Sequence, residues 1–189
     1  MYTCLNCNNI ASIKYNELDF CNNCFDDMKN RFNEFEKNHK KEYKLPTKIN
    51  DNLYVGSINS IVEPNKLKAL SINKIIIAGK RLFNENHKNF EYLEHLIDDS
   101  LEQDIKDSIL STNHYIDNNP NSIFLIHCYS GISRSCSLVI GYLMHKYKWD
   151  YDTAYNYVKE KHVNCQPNSN FEKQLRLFSN STKFFDHLS

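Results

Sequence analysis

The chain has 189 residues, enough for one domain with a small appendage, and is 41% hydrophobic and 24% charged, an ordinary balance for a packed globular core. Twenty-three basic residues offset 23 acidic ones, so no overall basic field draws nucleic acid or an anionic membrane, and neither is expected as a partner. No apolar run approaches the ~18 residues of a membrane span, and the opening Met1-Tyr-Thr-Cys4-Leu-Asn-Cys7 lacks the charged start and apolar stretch of a secretory signal.

A cytoplasmic or nuclear chain with reduced thiols is therefore expected. Its seven cysteines should then serve metal, chemistry or core. Four come first, as Cys4-x-x-Cys7 and Cys21-x-x-Cys24. Two such pairs suit a tetrahedral Zn²⁺ held by four thiolates, with two disulfides, unpaired thiols or an iron site as the other readings. A closed four-sulfur shell leaves no open position, so this one Zn²⁺ is structural, and catalysis is expected to need no cofactor. So short a unit builds no stable core alone, and the metal supplies its folding energy. Phe25, Met28, Phe32 and Phe35 recur at helical spacing, with Asp26 and Asp27 in the first turn. They predict a helix over 24–40. Residues 1–40 are read as a zinc-binding module able to recruit a protein partner, 41–47 as a linker ending near Pro46, and 48–189 as the main domain.

Past Lys48 the texture changes. Ile49, Leu53 and Val55 around Asn50-Asp-Asn52 predict a short strand pair, and 65–71 a short helix. Lys74-Ile-Ile-Ile-Ala78 reads as a strand buried on both faces. A strand over 92–97, a helix over 103–118 and a strand over 122–126 follow, then helices over 135–147, 151–161 and 171–185. Strands alternating with helices indicate an α/β domain, a central mostly parallel sheet flanked by helices.

The strongest chemical signal begins where the strand over 122–126 ends, at His127-Cys128-Tyr129-Ser130-Gly131-Ile132-Ser133-Arg134-Ser135. A strand, a seven-residue turn and a helix place a ligand at the carboxyl end of the sheet. Backbone N–H groups of Tyr129, Ser130, Gly131, Ile132, Ser133 and Arg134 can converge there on one anion. Gly131 tolerates the positive φ such a turn needs. Cys128 sits at the base of that cradle. The helix N-terminus and Arg134 favour its thiolate, and an ordinary thiol near ~8.5 falls to roughly 3.5–7.5 in such settings. Cys128 is the candidate nucleophile. Arg134 offers a planar fork for two phosphoryl oxygens. Ser135 can donate to the sulfur as it leaves, and His127 is expected to orient the loop through hydrogen bonds.

The segment His127–Ser135 resembles the signature of the dual-specificity protein phosphatases. Asn52-Leu-Tyr-Val-Gly-Ser57, Gly141-Tyr-Leu-Met144, Pro167-Asn168, Phe171 and Gln174-Leu175 resemble further motifs of that family, over about residues 48–180. The resemblance implies hydrolysis of phosphotyrosine, phosphoserine and phosphothreonine in proteins through a phosphocysteine. Its acid loop is similar to Ile97-Asp98-Asp99-Ser100-Leu101-Glu102-Gln103-Asp104-Ile105, and aligning Asp104-Ile105 selects Asp99 as the general acid. Asp98 is the alternative, one register slip away. The turn lacks the lysines of phosphoinositide-directed relatives. The other readings are a phosphoprotein-binding module with little activity, or a phosphatase for RNA 5'-triphosphate or phospholipid. One departure stands out: Lys161-His162-Val163 occupies a segment in which many relatives carry Arg.

Overall fold

The computed structural model describes residues 13–15, 18–24, 26, 44–80 and 89–185. The chain divides into two compact units, Met1–Glu42 and Tyr43–Ser189.

In the first unit, β1 (Ile13–Tyr15) and β2 (Leu18–Phe20) pair antiparallel, with Ile13 opposite Phe20 and Tyr15 opposite Leu18. This hairpin lies between the two cysteine pairs in sequence. Cys21 and Cys24 are half-buried at a short helical stretch over 22–24. Cys4, Cys7 and most of the helix expected over 24–40 lie outside the described residues. No group of three or more metal-ligating side chains occurs among the described ones.

The second unit is built on a five-stranded sheet. Its strands are β3 (Thr47–Asn50), β4 (Leu53–Ser57), β5 (Lys74–Ala78), β6 (Glu91–His95) and β7 (Phe124–Cys128), in the spatial order β3-β4-β7-β5-β6. Only the β3–β4 pair is antiparallel. The helices are α1 (Pro64–Ala69), α2 (Lys106–Asp117), α3 (Arg134–Tyr147), α4 (Tyr151–Lys161) and α5 (Ser169–Phe185). The expected α/β architecture is present, with element ends displaced by at most three residues.

Side chains alternate across a strand with period two, and this sorts the sheet into two apolar layers. Phe124, Ile126 and Cys128 of β7, with Ile76 and Ala78 of β5, join residues of α2–α5 in one buried cluster. Leu125, Ile75 and Ile77 join Leu67 of α1 in the other. Both faces are covered, so β5 and β7 are buried along their whole length. That explains why they read as unbroken apolar runs rather than alternating ones. Each fully buried Ile, Leu or Phe contributes roughly 1.5–3 kcal/mol.

α3 lies at the centre of the helical layer, with every residue from Ser135 to Met144 buried. It follows β7 after five residues. The central strand and the central helix therefore hold the two ends of the connecting turn. No helix among the described residues is long and apolar enough to cross a membrane.

Candidate active site

Three parallel strands end side by side, with Ser57 of β4 paired to Cys128 of β7. The residues at and just beyond their ends line a cavity of about 210 Å³: Ile58 after β4, Gly79 and Lys80 after β5, Cys128 at the end of β7, and Tyr129 and Arg134 after it, with Asp98 at its side. Ligands of open α/β sheets occupy such places.

The turn is held so that its carbonyls face away from the cavity. The Tyr129 carbonyl accepts from the Ile58 N–H at 3.2 Å, and the Ile132 carbonyl from the Gln166 N–H at 2.8 Å. The Gly131 carbonyl accepts from His162 Nε2 at 2.8 Å. In a trans peptide C=O and N–H point in opposite directions, so carbonyls fixed outward leave the following N–H groups facing inward. Gly131 has φ +76°, and a Cβ there would lie 3.0 Å from the Gly56 carbonyl. Both the backbone conformation and the close approach of β4 require glycine.

Cys128 is buried, 2% exposed. Its Sγ accepts from the Gly131 N–H at 3.2 Å and lies 3.2 Å from Ser135 Oγ. Ser135 Oγ is also 3.4 Å from the Gly56 carbonyl. Ser133 stands at the N-cap of α3 without capping it. Its hydroxyl donates instead to Asp99 Oδ1 at 2.7 Å. The first-turn N–H groups of α3 therefore have no side-chain cap to compete with an anion.

Arg134 donates from Nη1 to the Ile97 carbonyl at 3.3 Å. Its Nε is 3.8 Å from Asp99 Oδ2, beyond hydrogen-bond reach, and is buried with no hydrogen-bond partner. A buried guanidinium N–H without a hydrogen bond is costly, and the ion pair with Asp99 offsets part of that cost. Gly79 makes room for this side chain. Its φ is +145°, and a Cβ would fall 2.8 Å from Arg134 Nη1.

The two acidic candidates separate. Asp98 lines the cavity. Asp99 is anchored to the turn, with Oδ1 accepting from Ser133 and, at 2.8 Å, from Asn168 Nδ2. Asn168 also donates its N–H to Ser133 Oγ at 3.1 Å and accepts from the Phe171 N–H at the start of α5. The rest of the acid loop is tied to α5: Gln174 accepts from the Ile105 N–H, and Gln174 and Asn170 both donate to the Gln103 carbonyl.

His127 is fully buried, and neither ring nitrogen has a hydrogen-bond partner. Burial pushes its pKa down to about 4, opposed in part by the Cys128 backbone. It is therefore a neutral, packed residue, and its interaction with the turn is with the Cys128 backbone. Desolvation of the imidazolium outweighs any gain from charging it. The Gly131 carbonyl of the turn is held by His162, whose Nδ1 is 2.8 Å from Thr47 Oγ1. Lys80, on the cavity wall, was also missed by sequence reasoning. His162 lies in the segment that departs from the pattern of the resembled family, but nothing local to it points at Gly131. Cys136 is a buried core residue. Its thiol is held well above the ordinary range, first by a hydrogen bond with Cys165 and then by burial.

Comparison with known proteins agrees with this geometry. The family model "Dual specificity phosphatase, catalytic domain" matches residues 53–181. The chain is 33% identical over 143 residues to human dual specificity protein phosphatase 9, covering 74% of this chain but 37% of that protein. It is 34% identical over 146 residues to the putative tyrosine phosphatase 123R of Invertebrate iridescent virus 6, covering 74% of this chain and 98% of the viral one. The crystal structure of the human tyrosine phosphatase-like serine/threonine/tyrosine-interacting protein superposes with a TM-score of 0.66. It is 28% identical, with 72% of this chain and 97% of that chain covered.

Proposed function

We propose that this chain, which belongs to the dual specificity phosphatase family, hydrolyses phosphotyrosine and phosphoserine or phosphothreonine in proteins through a phosphocysteine intermediate. The observation that carries the proposal is a buried cysteine sulfur hydrogen-bonded by the Gly131 N–H, in one cavity with the guanidinium of Arg134.

In the first step the Cys128 thiolate attacks phosphorus, the S–P bond forms and the P–O bond to the substrate breaks. Arg134 and the inward N–H groups hold the equatorial oxygens, and their hydrogen bonds strengthen as charge spreads. The leaving alkoxide or phenoxide takes a proton from Asp99. In the second step the Asp99 carboxylate takes a proton from water, whose oxygen attacks phosphorus. The S–P bond breaks, Ser135 donates to the departing thiolate, and inorganic phosphate leaves. His127, neutral and enclosed, has no part in proton transfer.

Asp98 is the second candidate for the acid, because it lines the cavity while Asp99 is bonded to Ser133 and Asn168. Asp99 is preferred because Ser133 and Arg134 fix it to the same turn that carries the nucleophile. It needs only to exchange its bond to Ser133 for one to the leaving oxygen.

The test is a substrate panel of phosphotyrosine, phosphoserine and phosphothreonine peptides, with a phosphoinositide and an RNA 5'-triphosphate as controls. Turnover of the peptides is expected. Turnover of the lipid or RNA alone overturns the substrate class, and peptide binding without turnover makes the chain a phosphoprotein-binding module. Cys4, Cys7, Cys21 and Cys24 are proposed to hold one structural Zn²⁺ in a unit that engages a protein partner. Its support is the pairing of two Cys-x-x-Cys motifs around a β-hairpin. Native mass spectrometry should find one Zn²⁺ per chain; a metal-free mass four protons lighter means disulfides instead.

A further inference from the structure

Residues 162–168, between α4 and α5, run behind the turn that carries the nucleophile. They touch three of its residues in succession. His162 Nε2 is 2.8 Å from the Gly131 carbonyl, the Gln166 N–H donates to the Ile132 carbonyl at 2.8 Å, and the Asn168 N–H donates to Ser133 Oγ at 3.1 Å. Two of these donors are backbone groups and persist under substitution. Only His162 acts through its side chain.

A carbonyl oxygen can only accept, so His162 Nε2 carries the hydrogen. In the neutral ring Nδ1 is then an acceptor, and the Thr47 hydroxyl, 2.8 Å away, is its donor. Thr47 opens edge strand β3 and is half-buried, as is His162. The ring is thus pinned at both ends, between the sheet edge and the turn. Its imidazole fixes the Gly131 carbonyl, and through the planar peptide it fixes the Ile132 N–H. Gly131 sits at φ +76°, a region in which glycine is permissive and flips with little steric resistance. A flipped peptide would turn a carbonyl dipole toward the anion in place of a donor. Cys136 Sγ, at 3.6 Å from the same oxygen, is a weak donor and no substitute.

We propose that His162 is a positioning residue of the phosphate site: braced by Thr47, it locks the Gly131–Ile132 peptide with its N–H toward the bound phosphoryl group. The inference rests on the reading of the cavity as a phosphate site. It gives His162, in a segment that departs from the pattern of the resembled family, a role in shaping the turn.

The experiment measures tungstate binding by calorimetry, with p-nitrophenyl phosphate turnover and thermal melting, for wild type, His162→Ala, His162→Gln and Thr47→Val. One hydrogen bond to a charged group sets the scale. His162→Ala should bind tungstate at least tenfold more weakly and lose kcat by a similar factor. His162→Gln, whose amide nitrogen reaches about as far as Nε2, should recover most of both. Thr47→Val should show a smaller loss of the same kind. A purely structural role would lower the melting temperature and leave tungstate affinity below that temperature unchanged. Tungstate affinity within twofold of wild type in His162→Ala, or no recovery in His162→Gln, overturns the proposal. Should His162→Ala fail to fold, the Thr47→Val affinity decides in the same way. Absence of wild-type turnover with the affinity pattern intact would remove the catalytic reading and leave this one standing.

Discussion

The two sides of the cavity are built in opposite ways. The nucleophile side is one contiguous stretch, β7, its turn and the first residues of α3, buried along the strand and inner helix. The acid side is a partly exposed loop fixed from outside itself. Asp99 is bonded to Ser133 and Asn168, 34 and 69 residues away in sequence, and Ile105 to Gln174, 69 residues away. Rigidity on the first side comes from the core. On the second it comes from a handful of side-chain hydrogen bonds, each contributing about 0.5–1.5 kcal/mol. A phosphatase needs a preorganised anion cradle throughout the reaction, whereas its acid must exchange partners within each cycle. The contrast in construction follows that contrast in duty.

Substitutions on the two sides should therefore differ in size and kind. The largest effect is expected for Cys128→Ser. Turnover of p-nitrophenyl phosphate should fall by on the order of 10⁴-fold or more with the fold intact, because an alcohol at that position is not ionised. Equal rates for the two proteins would remove Cys128 from the chemistry.

Next comes Asp99→Ala, expected to cost on the order of 10²–10⁴-fold in kcat for p-nitrophenyl phosphate. Asp98→Ala should stay within a few-fold of wild type. An exchange of these outcomes would move the acid to the residue on the cavity wall.

His127 sharpens the comparison through stability. Its folded-state pKa of about 4 lies below the ordinary 6.5, so on acidification the unfolded chain takes up this proton first. The contribution is complete above pH 6.5 and is lost as pH falls toward 4. Between pH 7 and pH 5 it amounts to roughly 2 kcal/mol. Urea unfolding at the two pH values should show a drop of that size in wild type beyond any seen in His127→Gln. Parallel pH dependences in the two would show that His127 does not titrate as a buried neutral group.

A smaller effect than that of Asp99→Ala belongs to Asn168→Ala, which frees the acid loop and uncaps α5. A loss of about tenfold in turnover is expected, with a stability cost of about 1 kcal/mol typical of a lost cap. If turnover fell as far as in Asp99→Ala, the loop would depend on this one contact and the distinction between the two sides would fail.

Where the sequence and the fold part company, the reason is pairing over distance. The strand at Lys74–Ala78 has the bounds its sequence predicts, because both flanks turn polar. The strand read over 122–126 runs instead from Phe124 to Cys128. Ser122 is still bonded to Asn119 in the preceding turn, and the register with Leu53–Ser57 carries pairing to the nucleophile itself. The helix read from 103 starts at Lys106. Gln103 is spent on the Asp98 N–H and the Asp104 carbonyl, and Asp104 Oδ1 accepts from the Lys106 N–H.

By itself the sequence determined the α/β class and the strand, turn and helix that carry Cys128, Arg134 and Ser135. These follow from a buried strand, a glycine and a helix start in unbroken succession, so neighbouring residues dictate them. Only the tertiary structure decided that His127 is enclosed and neutral, that Lys80 and Asp98 face the cavity, and that His162 meets the Gly131 carbonyl and Asn168 meets Asp99. Those placements depend on sheet order and on where α4 gives way to α5. Groups tens of residues apart meet only after the core has formed, and no local pattern encodes the meeting.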